Sequence, residues 1–142
     1  MHKVYLGLGT NLGDKEANLK TAFEEIRKRV GEVTSQSAFY ASEPWGFESD
    51  NSFLNAVCYV HTDLSPMELL SITQEIEREL GRTKKSVGGI YSDRMIDIDI
   101  LLYDDLRIHT SELTIPHPLM WERDFVMLPL HEIAPHITPS SF

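Results

Sequence analysis

The chain has 142 residues, 42% of them hydrophobic and 25% charged, with a formal net charge of -9, which fits one globular domain with a single core. A field of that sign repels polyanions and argues against nucleic acid or an anionic membrane as a partner. No window reaches the ~20 apolar residues of a membrane span, and the opening MHKVYLGLG lacks a signal-peptide stretch, so a cytoplasmic protein is expected.

Val4 to Leu8 reads as a short apolar strand running into glycines. Leu19, Ala22, Phe23, Ile26 and Val30 recur at helical spacing, which predicts a helix from about Lys15 to Val30 with Asp14 as N-cap and Gly31 as terminator. A second strand is expected from Val33 to Ala41, followed by a turn-rich stretch, SEPWGFESDN, at 42–51. In a third strand, Phe53 to His61, Leu54, Ala56, Cys58 and Val60 share one face and Phe53, Asn55, Val57 and Tyr59 the other. Cys58, the single cysteine, permits no internal disulfide and reads as a small core residue. Ser65-Pro66-Met67-Glu68 has the form of a capping box with proline at the first helical position. Leu69, Ile72, Ile76 and Leu80 form the buried stripe of the helix it opens, and Gly81 closes it.

Residues 82–94 are basic and contain glycine, as a loop would. A strand with alternating isoleucine and aspartate follows, and then a hairpin around Asp104-Asp105. Beyond Pro116 the pattern is irregular, with a short helix near Asp124 to Ile133. The order predicts an α+β fold: a ferredoxin-like βαββαβ core whose antiparallel sheet carries both long helices on one face, plus a C-terminal extension, in a single domain spanning 1–142. Such a fold hosts many activities, so function must come from the site.

GLGTNLGD at 7–14 carries Gly7, Gly9 and Gly13, but a dinucleotide fingerprint needs glycine where Leu12 stands. A tight turn between strand and helix is the better account. Asp97 and Asp99 are more informative. Two apart in a strand, they share a face roughly 6–7 Å apart, where like charges resist burial. A solvated edge would explain them, but the rest of that face is Leu101 and Tyr103. A divalent cation also holds two carboxylates together, and hard oxygen ligands suit Mg²⁺ shared with substrate phosphates. Gln74 and Glu77 flank the apolar stripe of their helix, on a solvated flank or at the rim of a cleft. Arg82, Lys84, Lys85 and Arg94 place cations near the carboxylates, as a polyphosphate site or as a solvated loop with a structural ion pair. Phe53 and Asn55 share a face, as core residues or as a clamp for a flat heterocycle. The six histidines show no zinc-ligand spacing.

Taken together, YLGLGTNLGD, FYASEPWG, FLNAV, QEIERELGR, DRMIDIDIL and TIPHPLMWERDFVMLPLHEIAP keep the order of a known family over nearly the whole chain. The chain resembles the 6-hydroxymethyl-7,8-dihydropterin pyrophosphokinases of folate biosynthesis. The resemblance implies transfer of pyrophosphate from ATP to the pterin, with release of AMP. It implies two Mg²⁺ ions on Asp97 and Asp99, and a catalytic set of Arg82, Arg94, Asp97 and Asp99. ATP would be met by Gln74, Glu77, Lys84, Arg94, His117 and Arg123. The pterin would lie between Phe53 and Phe125, beside Asn55, with Ser42, Glu43, Pro44 and Trp45 completing its pocket. Relatives often carry tryptophan, glycine and proline ahead of the arginine; here Tyr91-Ser92-Asp93 precede Arg94, and Lys84 stands where a second arginine is common. A monomer with ATP and the pterin as its partners is the expectation. A non-catalytic ferredoxin-like ligand-binding module is the competing one.

Overall fold

The computed structural model describes residues 1–43, 52–81 and 95–141. Strands β1 (His2–Thr10), β2 (Gly31–Gln36), β3 (Tyr40–Ser42), β4 (Phe53–Thr62) and β5 (Asp97–Tyr103) form one sheet in the order β2-β4-β1-β5, with β3 also paired to β4. Every pairing in it is antiparallel. The helices are α1 (Lys15–Arg29), α2 (Pro66–Gly81) and α3 (Asp124–Ile133), and β6 (Ile108–His109) and β7 (Thr114–Ile115) form a separate ladder.

The helix starts follow from their caps. The Asp14 carboxylate accepts from Ala17 N at 3.1 Å. At α2, Glu68 N donates to Ser65 Oγ at 3.2 Å while Ser65 N donates to the Glu68 carboxylate at 2.9 Å, the reciprocal capping box. Gly31 does not simply end a helix: it opens β2 so close to His61 that a Cβ there would collide with the His61 carbonyl oxygen.

The two faces of the sheet have different cover. Val4, Leu6 and Leu8 of β1, Ala56, Cys58 and Val60 of β4, and Ile98 and Ile100 of β5 pack against Leu19, Phe23 and Ile26 of α1 and Leu69 and Ile76 of α2. On the opposite face Val57, Leu101 and Leu102 meet Met120 and the α3 residues Val126 and Leu130. Cys58 is fully buried, and burial pushes its thiol up to about 12.

Three expectations are corrected. The strand expected over Val33 to Ala41 is broken into β2 and β3. At the break Ser37 Oγ accepts from Val57 N at 2.9 Å, so a side chain takes the place of a ladder partner. The turn at Asp104-Asp105 exists, with Leu106 N donating to Tyr103 O, but β6 pairs with β7 and not back onto β5. Asp104, at φ 50°, is instead held on β1: its N donates to Lys3 O at 2.7 Å and its carboxylate accepts from Lys3 N at 2.7 Å. Finally, Tyr103 does not share the face of Asp97 and Asp99. A bulge pairs Tyr5 with Leu102 but Leu6 with Ile100, so the alternation slips by one residue. Leu101 and Leu102 both lie in the α3 cluster, and Tyr103 turns to the helix face, where its hydroxyl donates to Leu64 O at 2.7 Å.

Candidate active site

The site is built outward from β1. Gly7 and Gly9 lie inside that strand, and only Gly13, at φ 66°, occupies the turn expected of all three. In the register, Gly9 stands between Asn55 of β4 and Asp97 of β5, and Gly7 between Val57 and Asp99. Two positions without side chains therefore leave a trough down the middle of the α3 face. Above it is a cavity of about 430 Å³, walled by Ser42, Glu43, Phe53, Asn55, Asp97, Asp99, His117, Pro118, Leu119, Arg123, Phe125 and Val126.

The β4 wall is fixed from behind. Asn55 is 3% exposed, and its Nδ2 donates to Tyr40 O at 3.1 Å and to Ser42 Oγ at 2.7 Å. Both amide hydrogens are committed to the protein, so Oδ1, which lies over Gly9, is what the side chain offers a ligand: an acceptor. Phe53 and Phe125 line the same cavity from β4 and from the first turn of α3. The buried Arg123 guanidinium is 5.4 Å from the centre of the Phe125 ring. The Tyr40 hydroxyl donates to Glu132 of α3 at 2.5 Å, and Ala38 N donates to the same carboxylate at 3.1 Å. This ties α3 to the segment that holds Asn55.

The β5 wall carries the paired carboxylates. Asp97 and Asp99 are partly exposed to the cavity while Ile96, Ile98 and Ile100 are buried on the other side. Glu77 of α2 reaches the outer edge of the strand and accepts from Ile98 N at 2.7 Å. Burial first, with the charges of Asp97 and Asp99 adding to it against the Ile98 hydrogen bond, pushes the Glu77 carboxyl up to about 8. His117 Nε2 is 3.9 Å from Asp99 Oδ1. Burial and then the Arg123 charge hold this imidazole below its ordinary value, against the pull of Asp97, which favours its neutral form.

The carboxylate pair fits Mg²⁺. It offers acceptor-only oxygens on one cavity wall, and among the described residues no group of three or more His, Cys, Asp or Glu is arranged to enclose a metal. A hard cation bound there would complete its coordination from phosphate and water.

Of the residues expected at the site, Ser42, Glu43, Phe53, Asn55, Asp97, Asp99, His117, Arg123 and Phe125 meet around one cavity. Gln74 is exposed on α2 and Glu77 stands at the edge of β5, and neither lines it. Pro44, Trp45, Arg82, Lys84 and Arg94 lie outside the described residues, as do the 44–51 and 82–94 stretches around them. Sequence reasoning missed the floor glycines, although glycine at alternate positions of an apolar strand is itself a sign of close approach. It also missed Glu132, whose partners lie more than 90 positions away in the chain.

A cavity that brings two phenylalanines and a buried amide acceptor together with a pair of carboxylates across the β1 glycines has the make-up of an enzyme site. The chain belongs to the 7,8-dihydro-6-hydroxymethylpterin-pyrophosphokinase (HPPK) family, whose model matches residues 5–135. It is 53% identical over 139 residues to the 2-amino-4-hydroxy-6-hydroxymethyldihydropteridine pyrophosphokinase of Porphyromonas gingivalis, covering 97% of this chain and 95% of the relative. The Bacillus subtilis protein of the same name is 42% identical, over 94% of this chain and 78% of that one. The folic acid synthesis protein FOL1 of Dictyostelium discoideum is 47% identical over 94% of this chain but only 20% of its own length. Among solved structures, the Plasmodium falciparum HPPK-DHPS with pteroate superposes with a TM-score of 0.80 at 16% identity, a likeness of fold, over 99% of this chain and 42% of that one.

Proposed function

We propose that this chain transfers the β,γ-pyrophosphoryl unit of ATP to the hydroxymethyl group of 6-hydroxymethyl-7,8-dihydropterin, releasing AMP, as a step of folate biosynthesis. The observation that carries this reading is that Phe53, Asn55 and Phe125 open onto the same cavity as Asp97 and Asp99, with only the floor of Gly7 and Gly9 between them. Membership of the family supports it.

The pterin ring stacks between Phe53 and Phe125 and gives an N–H to Asn55 Oδ1, with Ser42 and Glu43 at the same end and Pro44 and Trp45 next in the chain. Asp97 and Asp99 would hold two Mg²⁺ ions together with the ATP phosphates, and Mg²⁺ bound there would supply charge neutralisation to the phosphates and to the departing AMP. The chain's own residues position the substrates. Arg123 brings a buried cation to the cavity wall, His117 a neutral imidazole donor, and the first turn of α3 its positive end. Arg82, Lys84 and Arg94 complete the phosphate contacts from the basic stretch. Gln74 stands on the ATP side, and Glu77 acts there through the edge of β5. Transfer then asks for proximity and for exclusion of water rather than covalent catalysis.

The four long strands with α1 and α2 are read as a ferredoxin-like split βαβ frame, and the α3 region as an extension that completes the site. The reading is of one pyrophosphokinase domain over 1–142, a cytoplasmic monomer without nucleic-acid or membrane partners. Asp97→Ala and Asp99→Ala test the assignment: each is expected to lower AMP formation by at least about 10³-fold with the circular dichroism spectrum unchanged. Near-normal turnover in both variants overturns it.

A further inference from the structure

We propose that Gly9 is a specificity-determining position: its missing side chain keeps open the corner where a flat heterocycle meets both its hydrogen-bond acceptor and its stacking ring. The inference rests on the functional reading above and deepens it.

Gly9 is flanked within the sheet by Asn55 of β4 and Asp97 of β5. A Cβ built on it would not meet the two equally. Its nearest neighbours are Asn55 Oδ1 at 3.1 Å, Phe53 Cδ1 at 3.5 Å and Phe53 Cε1 at 4.0 Å, all on β4. The contact with Oδ1 is tighter than a methyl group normally tolerates, and the Asn55 amide that would have to give way is restrained. It is 3% exposed and its amide nitrogen is tied to Tyr40 O and Ser42 Oγ. A methyl at position 9 must therefore turn the Asn55 amide out of place or fill the space beside the Phe53 ring. The first removes the acceptor that receives the heterocycle's N–H and the second occupies the space its ring needs, while the carboxylate wall is left as it was. The backbone itself accepts alanine, because Gly9 is extended strand without positive φ.

The test compares the unsubstituted chain with Gly9→Ala. 6-Hydroxymethyl-7,8-dihydropterin is titrated in the presence of Mg²⁺ and α,β-methylene-ATP, whose bridging carbon blocks transfer, and the nucleotide is titrated separately. The expected result is a loss of pterin affinity of about tenfold or more, with nucleotide affinity changed by less than about threefold. In an Asn55→Ala background the clash is gone, so the same methyl should cost less than about threefold. Should Gly9→Ala fail to fold, Asn55→Ala is expected to restore folding to the double variant, and failure to do so overturns the proposal. Pterin affinity unchanged in Gly9→Ala, equal loss of both ligands, or an undiminished loss in the Asn55→Ala background also overturns it. Absence of pterin binding by the unsubstituted chain overturns the functional reading, and this inference with it.

Discussion

Asp97 and Asp99 face the cavity because the isoleucines between and beside them face the core. Ile98 and Ile100 pack under α1 and α2, and the two-residue period does the rest. That much was legible in the sequence, since alternation fixes a face without knowledge of partners. The same logic placed Phe53 and Asn55 correctly. What alternation cannot say is that Asn55 spends both amide hydrogens on Tyr40 and Ser42, because those bonds join strands distant in sequence. Nor could local pattern give the meaning of Gly7 and Gly9, which lies in what flanks them across the sheet. Phe125 was legible only through the family resemblance, and its setting now yields a prediction. It lines the cavity with Arg123 beside its ring. Phe125→Ala is expected to raise the pterin dissociation constant about tenfold, the worth of one aromatic contact of ~1.4 kcal/mol, with nucleotide affinity little changed. Equal weakening of both ligands in titration calorimetry would place Phe125 outside the pterin pocket.

The helices were the most legible elements. Their apolar stripes recur every three to four residues, and the caps at Asp14 and Ser65 are local signals that the structure reproduces. The β2–β3 break and the β5 bulge were not legible, because each depends on a partner strand: Ser37 on Val57, and Leu101 on the Tyr5–Leu6 step of β1. The edge of β5 also depends on α2, through the bond from Ile98 N to Glu77. This contact has a pH signature in metal-free protein. An unfolded glutamic acid titrates near ~4.3, whereas the folded Glu77 carboxyl is pushed up to about 8. The folded state therefore holds the proton more tightly, and the stability this gives is fully present below the unfolded value and lost as pH rises through the folded one. Glu77→Gln keeps an oxygen for the Ile98 N–H but has no proton to lose. In urea unfolding with EDTA, its stability relative to the unsubstituted chain should climb from pH 5 to pH 8 and then level off, following the ~4.3-to-8 window. A difference independent of pH would show that Glu77 is not held protonated.

At the scale of the whole molecule, the sheet separates two tasks. The face under α1 and α2 is a closed apolar core, while the opposite face is covered by α3 over part of its width and left open where the β1 glycines thin it. Glu132 fastens α3 to the β2–β3 segment, so one layer closes both the second core and the cavity wall. The chain is acidic, at -9 overall, yet its cavity is proposed to take a tetra-anionic nucleotide. That requires cations at the carboxylate end, from Mg²⁺ and from Arg123 and the basic stretch, to reverse the local field. Product analysis by ³¹P NMR after incubation with ATP, Mg²⁺ and 6-hydroxymethyl-7,8-dihydropterin reads out the proposed transfer itself. AMP and a pterin bearing a diphosphate are expected in equal amounts; ADP with a monophosphorylated pterin, or no turnover at all, would overturn the proposed function.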